Sequence, residues 1–106
     1  MTTFDFGDGN GLVAAHKHSN GGGWVADTAF VADTAFVGPD ARVSGNARVY
    51  GNARVFDNAR VSGNAWVSGN AKVYGNAKVS DDAWVSGDAW VSGDARVYGD
   101  VYDIMD

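Results

Sequence analysis

The sequence indicates an all-β chain made of stacked parallel coils, and three regularities support this interpretation. Valine recurs every six residues without interruption from Val25 to Val97. An alanine precedes almost every one of these valines by two positions, and a Gly/Asp–Asn/Asp pair separates successive Ala-x-Val triplets. A six-residue period is typical of a parallel β-helix, because each hexapeptide supplies one short strand and one corner.

Within each hexapeptide the Ala-x-Val triplet predicts a strand and the pair after it predicts a corner. Side chains alternate along a strand, so alanine and valine face the interior while the residue between them faces outward. Glycine accepts positive φ and asparagine tolerates the left-handed region, which suits a Gly-Asn pair to a corner. Three hexapeptides make a coil of eighteen residues, and the repeats extend over about four coils. Asparagines eighteen apart, such as Asn58 and Asn76, should then bond along the axis.

The repeats GNARVY and GNAWVS, with the Gly-Gly-Trp-Val segment at 22–25, resemble the hexapeptide-repeat left-handed β-helix proteins. The resemblance covers residues 22–100 and is greatest to the short members encoded by bacteriophages and prophages. It implies a left-handed coil, which the repeat spacing alone would not give. It also implies a homotrimer, since relatives with this fold usually pack side by side in threes.

The chain before the repeats predicts an N-terminal β-hairpin cap. Residues 3–16 contain two apolar segments on either side of a glycine-rich turn, a pattern typical of a hairpin. We expect this hairpin to cover the first open coil with Phe4, Phe6 and Leu12.

The chain after the repeats predicts a short C-terminal lid. Beyond Val97 the hexapeptide pattern fails, and the apolar residues that remain could fold over the final coil. We therefore divide the chain into an N-terminal cap (1–24), a β-helix (25–100) and a C-terminal lid (101–106).

The net charge of −5 conceals an alternating distribution along the chain. Residues 1–40 carry −4, residues 41–79 carry +5 and residues 80–106 carry −6. Acidic ends would discourage open strand edges from stacking end to end. An acidic chain argues against nucleic acid as a partner. No apolar run approaches the length of a membrane span, and the first residues do not resemble a secretory signal, so we expect cytoplasmic synthesis and no membrane contact.

Residues eighteen apart stack on neighbouring coils, so the outward column of each face can be predicted. The first face presents Trp24 and then the cations Arg42, Arg60, Lys78 and Arg96. The second presents Phe30, Arg48, Trp66 and Trp84, with Tyr50 beside them. The third presents Phe36, Arg54, Lys72 and Trp90.

Two kinds of binding surface follow from these columns, and each has an alternative. Stacked cations repel one another unless anions neutralise them, so the first face is either an anion-binding surface for phosphate or an acidic partner, or a solvated polar face. Large outward aromatic residues favour a protomer contact, the alternative being a platform for sugar rings or bases. The predicted oligomer interface consists of Phe30, Arg48, Tyr50, Trp66, Trp84 and Trp90. The predicted anion-binding residues are Arg42, Arg60, Lys78 and Arg96.

The segment His16-Lys17-His18 offers a pair of imidazoles as metal ligands. Alternate residues of an extended segment share a face, so His16 and His18 would project together. Three such pairs around a threefold axis would supply six nitrogens in octahedral geometry. This resembles the iron-binding His-x-His pairs of phage spike tips, in that motif only. The alternative is two solvated histidines in a flexible approach to the coil.

The sequence contains none of the usual catalytic constellations. Cysteine is absent, which excludes thiolate chemistry. The acyltransferases of the resembled family use a histidine and projecting loops, but no histidine follows His18 and no insertion interrupts 25–97. We therefore expect no enzymatic activity, and no cofactor other than a metal ion at His16 and His18.

The function that we expect is that of a non-catalytic trimeric β-helix, a structural or binding component of a phage-like system. Capsid decoration, a fibre segment or a spike segment would each fit, with the chain itself and other virion proteins as partners. One alternative is a soluble binder of a small nucleotide-like anion in clefts between protomers. Another is a degenerate hexapeptide acyltransferase.

Overall fold

The computed structural model describes residues 2–7, 9 and 11–98, and the backbone of residues 100–102. Over these residues the chain forms short strands and no helix. The N-terminal strands are β1 (Thr3–Asp5) and β2 (Leu12–Lys17). The strands that follow are β3 (Trp24–Ala26), β4 (Phe30–Val31), β5 (Phe36–Val37), β6 (Arg42–Val43), β7 (Arg48–Val49), β8 (Arg54–Val55), β9 (Arg60–Val61), β10 (Trp66–Val67), β11 (Lys72–Val73), β12 (Lys78–Val79), β13 (Trp84–Ser86), β14 (Trp90–Val91), β15 (Arg96–Val97) and β16 (Asp100–Tyr102). No helix long and apolar enough to cross a membrane occurs in the described part of the chain.

The strands form three parallel faces that wind around one axis. The first face contains β3, β6, β9, β12 and β15, the second contains β4, β7, β10, β13 and β16, and the third contains β5, β8, β11 and β14. The register aligns each residue with the one eighteen positions later, as for Val49 and Val67. This arrangement confirms a parallel β-solenoid of about four coils. The left hand of the coil stays a prediction from the resemblance.

Valine and alanine fill the interior, as the alternation predicts. The valines from Val37 to Val85 and the alanines between them are fully buried, while Val31 and Val97 near the two ends are only partly covered. The coils are joined by backbone hydrogen bonds; for example, the Arg54 amide donates to the Ala71 carbonyl at 2.9 Å. The core is therefore a narrow prism of small aliphatic side chains.

The corners combine left-handed backbone with very close stacking. Gly69 has a φ of +67°, and a Cβ atom placed there would lie 2.9 Å from the Gly87 carbonyl oxygen in the next coil. The predicted amide columns are confirmed where Asn58 Nδ2 donates to Asn76 Oδ1 at 3.4 Å. Glycine thus suits both the backbone conformation and the spacing of the coils. Asp57, with a φ of +58°, takes the same corner position, where its carboxylate accepts a hydrogen bond from the Gly75 amide at 3.2 Å.

The N-terminal hairpin is confirmed, but its aromatic side chains do not lie where the sequence predicts. Strand β1 pairs antiparallel with β2, and β2 pairs antiparallel with β3 at the edge of the first face. The Phe4 ring stacks on Trp24 with centroids 4.6 Å apart, and Phe6 is buried in the same cluster. Trp24 belongs to the outward column, so these rings pack on the outside of the first face. Leu12 is 70% exposed, so its predicted role as a cover is wrong.

The edge of the third face is instead paired by the segment that joins β2 to β3. The Val37 amide donates to the Asn20 carbonyl at 3.0 Å, and the Gly23 amide donates to the Val37 carbonyl at 2.9 Å. His18 is only 6% exposed, and its Nε2 donates to the Ala35 carbonyl at 2.9 Å. Backbone groups at the start of β5 therefore find partners without any apolar lid.

At the other end, the coil continues beyond the predicted boundary at residue 100. Strand β16 pairs in parallel with β13, and Val101 is aligned with Val85. Residues 101 and 102 therefore extend the second face, which corrects their assignment to a lid. The rest of the predicted lid, 103–106, lies outside the described residues.

The stacking of corner glycines can be tested with two alanine substitutions. We expect Gly93→Ala to cost about 1–2 kcal/mol of unfolding free energy, because its φ of +65° disfavours a Cβ atom, which would meet nothing within 4 Å among the described residues. Gly69→Ala should cost more, because the same penalty is joined by a contact with the Gly87 backbone. Urea denaturation of both variants measures the difference. Equal losses would show that the coils can separate to admit a methyl group.

The role of His18 can be tested against that of its neighbour His16. We expect His18→Ala to lower the unfolding free energy by about 1–3 kcal/mol, because it leaves the Ala35 carbonyl without its donor. His16→Ala is the matched control and should cost less than about 1 kcal/mol, since its hydrogen bond with Asp27 is exposed.

Urea denaturation with and without a chelator, together with elemental analysis, also tests the metal hypothesis. Equal losses in both variants, a stability that falls in chelator, and about one metal ion per three chains would assign the pair to a metal site instead.

Candidate functional site

The outward columns predicted from the sequence are confirmed by the strand register. On the first face Arg42 aligns with Arg60, Arg60 with Lys78, and Lys78 with Arg96. Neighbouring strands lie about 4.8 Å apart, so the four cations form a continuous basic column. Each sits between inward residues and projects from the coil, because side chains alternate along a strand.

A groove with a volume of about 200 Å³ follows this basic column. Three serines, Ser44, Ser62 and Ser80, line it alongside the first three cations of the column. Phe6 and Gly7 of the N-terminal hairpin line it too, as does Tyr98, which takes the position of the serines in the next coil. No acidic side chain is among the described residues that line the groove. We call this feature, formed by Phe6, Gly7, Arg42, Ser44, Arg60, Ser62, Lys78, Ser80 and Tyr98, the basic groove. Arg96 continues the basic column on the strand that precedes Tyr98.

Two residues of the basic groove, Phe6 and Gly7, were not predicted from the sequence. The position of Tyr98 on the first face was predictable, because it lies eighteen residues after Ser80. The positions of Phe6 and Gly7 were not predictable, because the hexapeptide period does not indicate where the hairpin lies against the coil.

The cations of the first face differ in their partners. The Arg42 guanidinium lies 5.1 Å from the centre of the Phe4 ring. Arg60, Lys78 and Arg96 take part in no ion pair and no ring contact among the described residues. At the strand spacing, each pair of neighbouring charges repels by up to about 1 kcal/mol at the dielectric constant of water. The three lower cations are therefore positioned to gain from an anion.

The aspartates nearest to the basic groove lie at the corners on either side of the first face. Asp81 and Asp82 follow Ser80 at one corner. At the other corner Asp40, Asp57 and Asp94 precede Arg42, Arg60 and Arg96. Asp94 accepts a hydrogen bond from Asn76 Nδ2 at 3.3 Å, which holds its carboxylate in the corner column. Positive charge thus lies on the face itself, and negative charge flanks it at both corners.

The second face carries an aromatic ladder, which we define as Tyr50, Trp66 and Trp84. The indoles of Trp66 and Trp84 meet edge to face with centroids 5.0 Å apart, and Tyr50 meets Trp66 in the same manner at 6.2 Å. The Arg48 guanidinium lies 5.4 Å from the Trp66 ring centre. Trp84 is 39% exposed and Phe30, at the upper end of the column, is 55% exposed. The ladder is therefore a large apolar surface on the outside of the coil.

The third face has a different aromatic arrangement. The rings of Phe56 and Tyr74 stack in parallel, with centroids 4.9 Å apart and an interplanar angle of 3°. Lys72 Nζ lies 4.8 Å from the Trp90 ring centre. Trp90 aligns with Lys72 on the third face, as the outward column predicts. Trp90 is thus the one predicted interface residue that lies on a different face from the others. The spacing of eighteen between Phe56 and Tyr74 could have predicted their stack.

The two histidines of the proposed metal pair occupy different environments. His16 Nδ1 donates to Asp27 Oδ1 at 2.7 Å on the surface, whereas His18 is buried and uses its Nε2 as a donor to Ala35. Only Nδ1 of His18 is left as a ligand atom in this arrangement. Within the described residues, no group of three or more His, Cys, Asp or Glu side chains could hold a metal ion. A metal site at His16 and His18 stays a prediction.

Comparison with known proteins identifies the repeats. The family model described as the YdcK beta solenoid repeat matches residues 41–55, 53–69 and 71–87. No curated protein and no solved structure matches the chain. The matched segments include parts of all three faces, from Arg42 on the first face to Trp84 on the second. The chain is thus a β-solenoid protein whose central coils are similar to the YdcK repeat.

Proposed function

We propose that this chain is a non-catalytic module that assembles into a homotrimer through its second face. The observation that carries the proposal is the aromatic ladder of Tyr50, Trp66 and Trp84 on the outside of the coil. Tryptophan, tyrosine and arginine are the residues enriched where protein interfaces are most buried. Arg48, which lies over Trp66, belongs to the same surface.

A second copy of the same chain fits this surface for two reasons. Its strands repeat at the same spacing of about 4.8 Å, so the ladder side chains of two copies can interdigitate along their whole length. The outward column between Phe30 and Trp84 contains one cation and no carboxylate, so close approach brings few like charges together. A partner with a different repeat would match over only one or two coils.

A non-catalytic role is supported by the form of the corners. The triplets from β4 to β15 are joined by short turns, and no segment projects from the coil between them to enclose a substrate. Acyl transfer on a coil of this kind would need a site formed by such loops, so the degenerate acyltransferase alternative has little support. The coil is instead a rigid rod with three distinct sides.

We propose that this trimer serves as a structural or binding component of a phage-like system. Support comes from the resemblance of the GNARVY and GNAWVS repeats to the short hexapeptide proteins of phages and prophages. A rod of fixed length, made from repeats of one strand and one corner, suits a fibre segment, a spike segment or a capsid decoration. Detection of the chain in purified virions would test this assignment.

The assembly can be tested by removing the two indoles. We expect Trp66→Ser with Trp84→Ser to shift the mass measured by light scattering from that of a trimer towards that of a monomer. Each fully buried aromatic side chain contributes about 3 kcal/mol, and a micromolar complex has only about 8 kcal/mol in total. Circular dichroism should be unchanged, because neither indole is part of the interior.

The control for this experiment is the double variant Phe56→Ser with Tyr74→Ser. It removes a pair of stacked outward aromatic rings from the third face and should leave the mass unchanged. A Trp66 and Trp84 variant that keeps the wild-type mass would contradict the second face as the protomer contact. Loss of mass in the control alone would move the contact to the third face.

A further inference from the structure

The basic column beside the basic groove contains three cations in succession that have no ion pair or ring contact among the described residues. On the other two faces Arg48 lies over Trp66 and Lys72 over Trp90, and at the top of the basic column Arg42 lies over Phe4. These three cations, Arg60, Lys78 and Arg96, follow one another on a single face. The structure thus leaves one continuous set of charges available to a ligand.

These cations span a length that suits a short chain of anionic groups. From Arg60 to Arg96 is two strand spacings, or about 10 Å, and flexible side chains can converge from both ends. Guanidinium groups bind phosphate oxygens in a bidentate manner, and lysine binds them as a point charge. The serine hydroxyls beside the cations can donate further hydrogen bonds.

The two ends of the basic groove differ, and together they limit the size of the ligand. Phe6 and Gly7 line one end, next to Arg42, which already lies over the Phe4 ring. Tyr98 lines the other end and is 53% exposed, so its ring is accessible for stacking. Asp82 and Asp94, at the corners beside Lys78 and Arg96, would repel a polyanion that spread sideways from the column.

We propose that the basic groove binds a nucleoside polyphosphate. The phosphate chain lies along Arg96, Lys78 and Arg60, and the base stacks on the Tyr98 ring. A volume of about 200 Å³ accommodates a phosphate chain and leaves the base at the open end. This site lies on the first face and does not require the second-face contact, so it extends the proposed function without depending on it.

The proposal is tested by isothermal titration calorimetry of the full chain with ATP, AMP and inorganic tripolyphosphate at low ionic strength. ATP should bind at least tenfold more tightly than AMP, because the longer phosphate chain reaches Lys78 and Arg60. It should also bind severalfold more tightly than tripolyphosphate, because only ATP has a base for Tyr98. Lys78→Gln should weaken ATP binding at least tenfold.

Two further variants separate specific binding from general charge. Arg54→Gln removes an outward cation of the third face that also has no ion pair or ring contact among the described residues, and it should change ATP affinity less than twofold. Tyr98→Ala should weaken ATP binding severalfold and leave tripolyphosphate binding unchanged.

Three results would overturn the proposal. Loss of ATP affinity in Arg54→Gln as large as that in Lys78→Gln would show non-specific attraction. Equal affinities for ATP and AMP would show that the longer phosphate chain does not contribute to binding. Equal affinities for ATP and tripolyphosphate, with no effect of Tyr98→Ala, would show that the base does not stack on Tyr98. Light scattering of the same samples reports the trimer separately, so failure of this site and failure of the assembly can be told apart.

Discussion

Hydrogen bonding between coils holds each residue about 4.8 Å from the residue eighteen positions away. The Arg54 amide donates to the Ala71 carbonyl, and equivalent hydrogen bonds join each coil to the next. Each side chain is therefore stacked on the one eighteen positions away, whether it faces in or out. Inward columns must be small and apolar because the prism is narrow. Outward columns have no such restriction, so charge and aromatic area accumulate as continuous strips.

The period made the coil predictable in detail, since it fixed which residues face inward and which align. Val49 with Val67, and Trp66 with Trp84, follow from counting alone. The ends were less predictable, because they depend on contacts without a period. Leu12 is apolar but exposed, while the polar His18 is buried because its ring donates to Ala35. Composition indicates a cap but does not say which residues supply hydrogen bonds to an open edge.

The candidate surfaces were likewise predictable in their residues but not in their contacts. The basic column and the indoles of the aromatic ladder were predictable as residues of one face. Their contacts were not: the choice of which cations lie over rings depends on side-chain rotamers and on the hairpin. The Phe4 ring lies against the Arg42 guanidinium only because β1 and β2 fold back along the first face. Phe6 became part of the basic groove through that same fold.

The eighteen-residue register also makes the identity of each side sensitive to the number of residues between corners. Inserting a whole coil between Val55 and Val61 would lengthen the rod by about 4.8 Å and leave every later side chain on its present side. Inserting a single hexapeptide would preserve the interior equally well, because every strand has the same Ala-x-Val pattern. It would nevertheless rotate all later columns by a third of a turn. Trp66 and Trp84 would leave the second face, and the fold would persist with its surfaces exchanged.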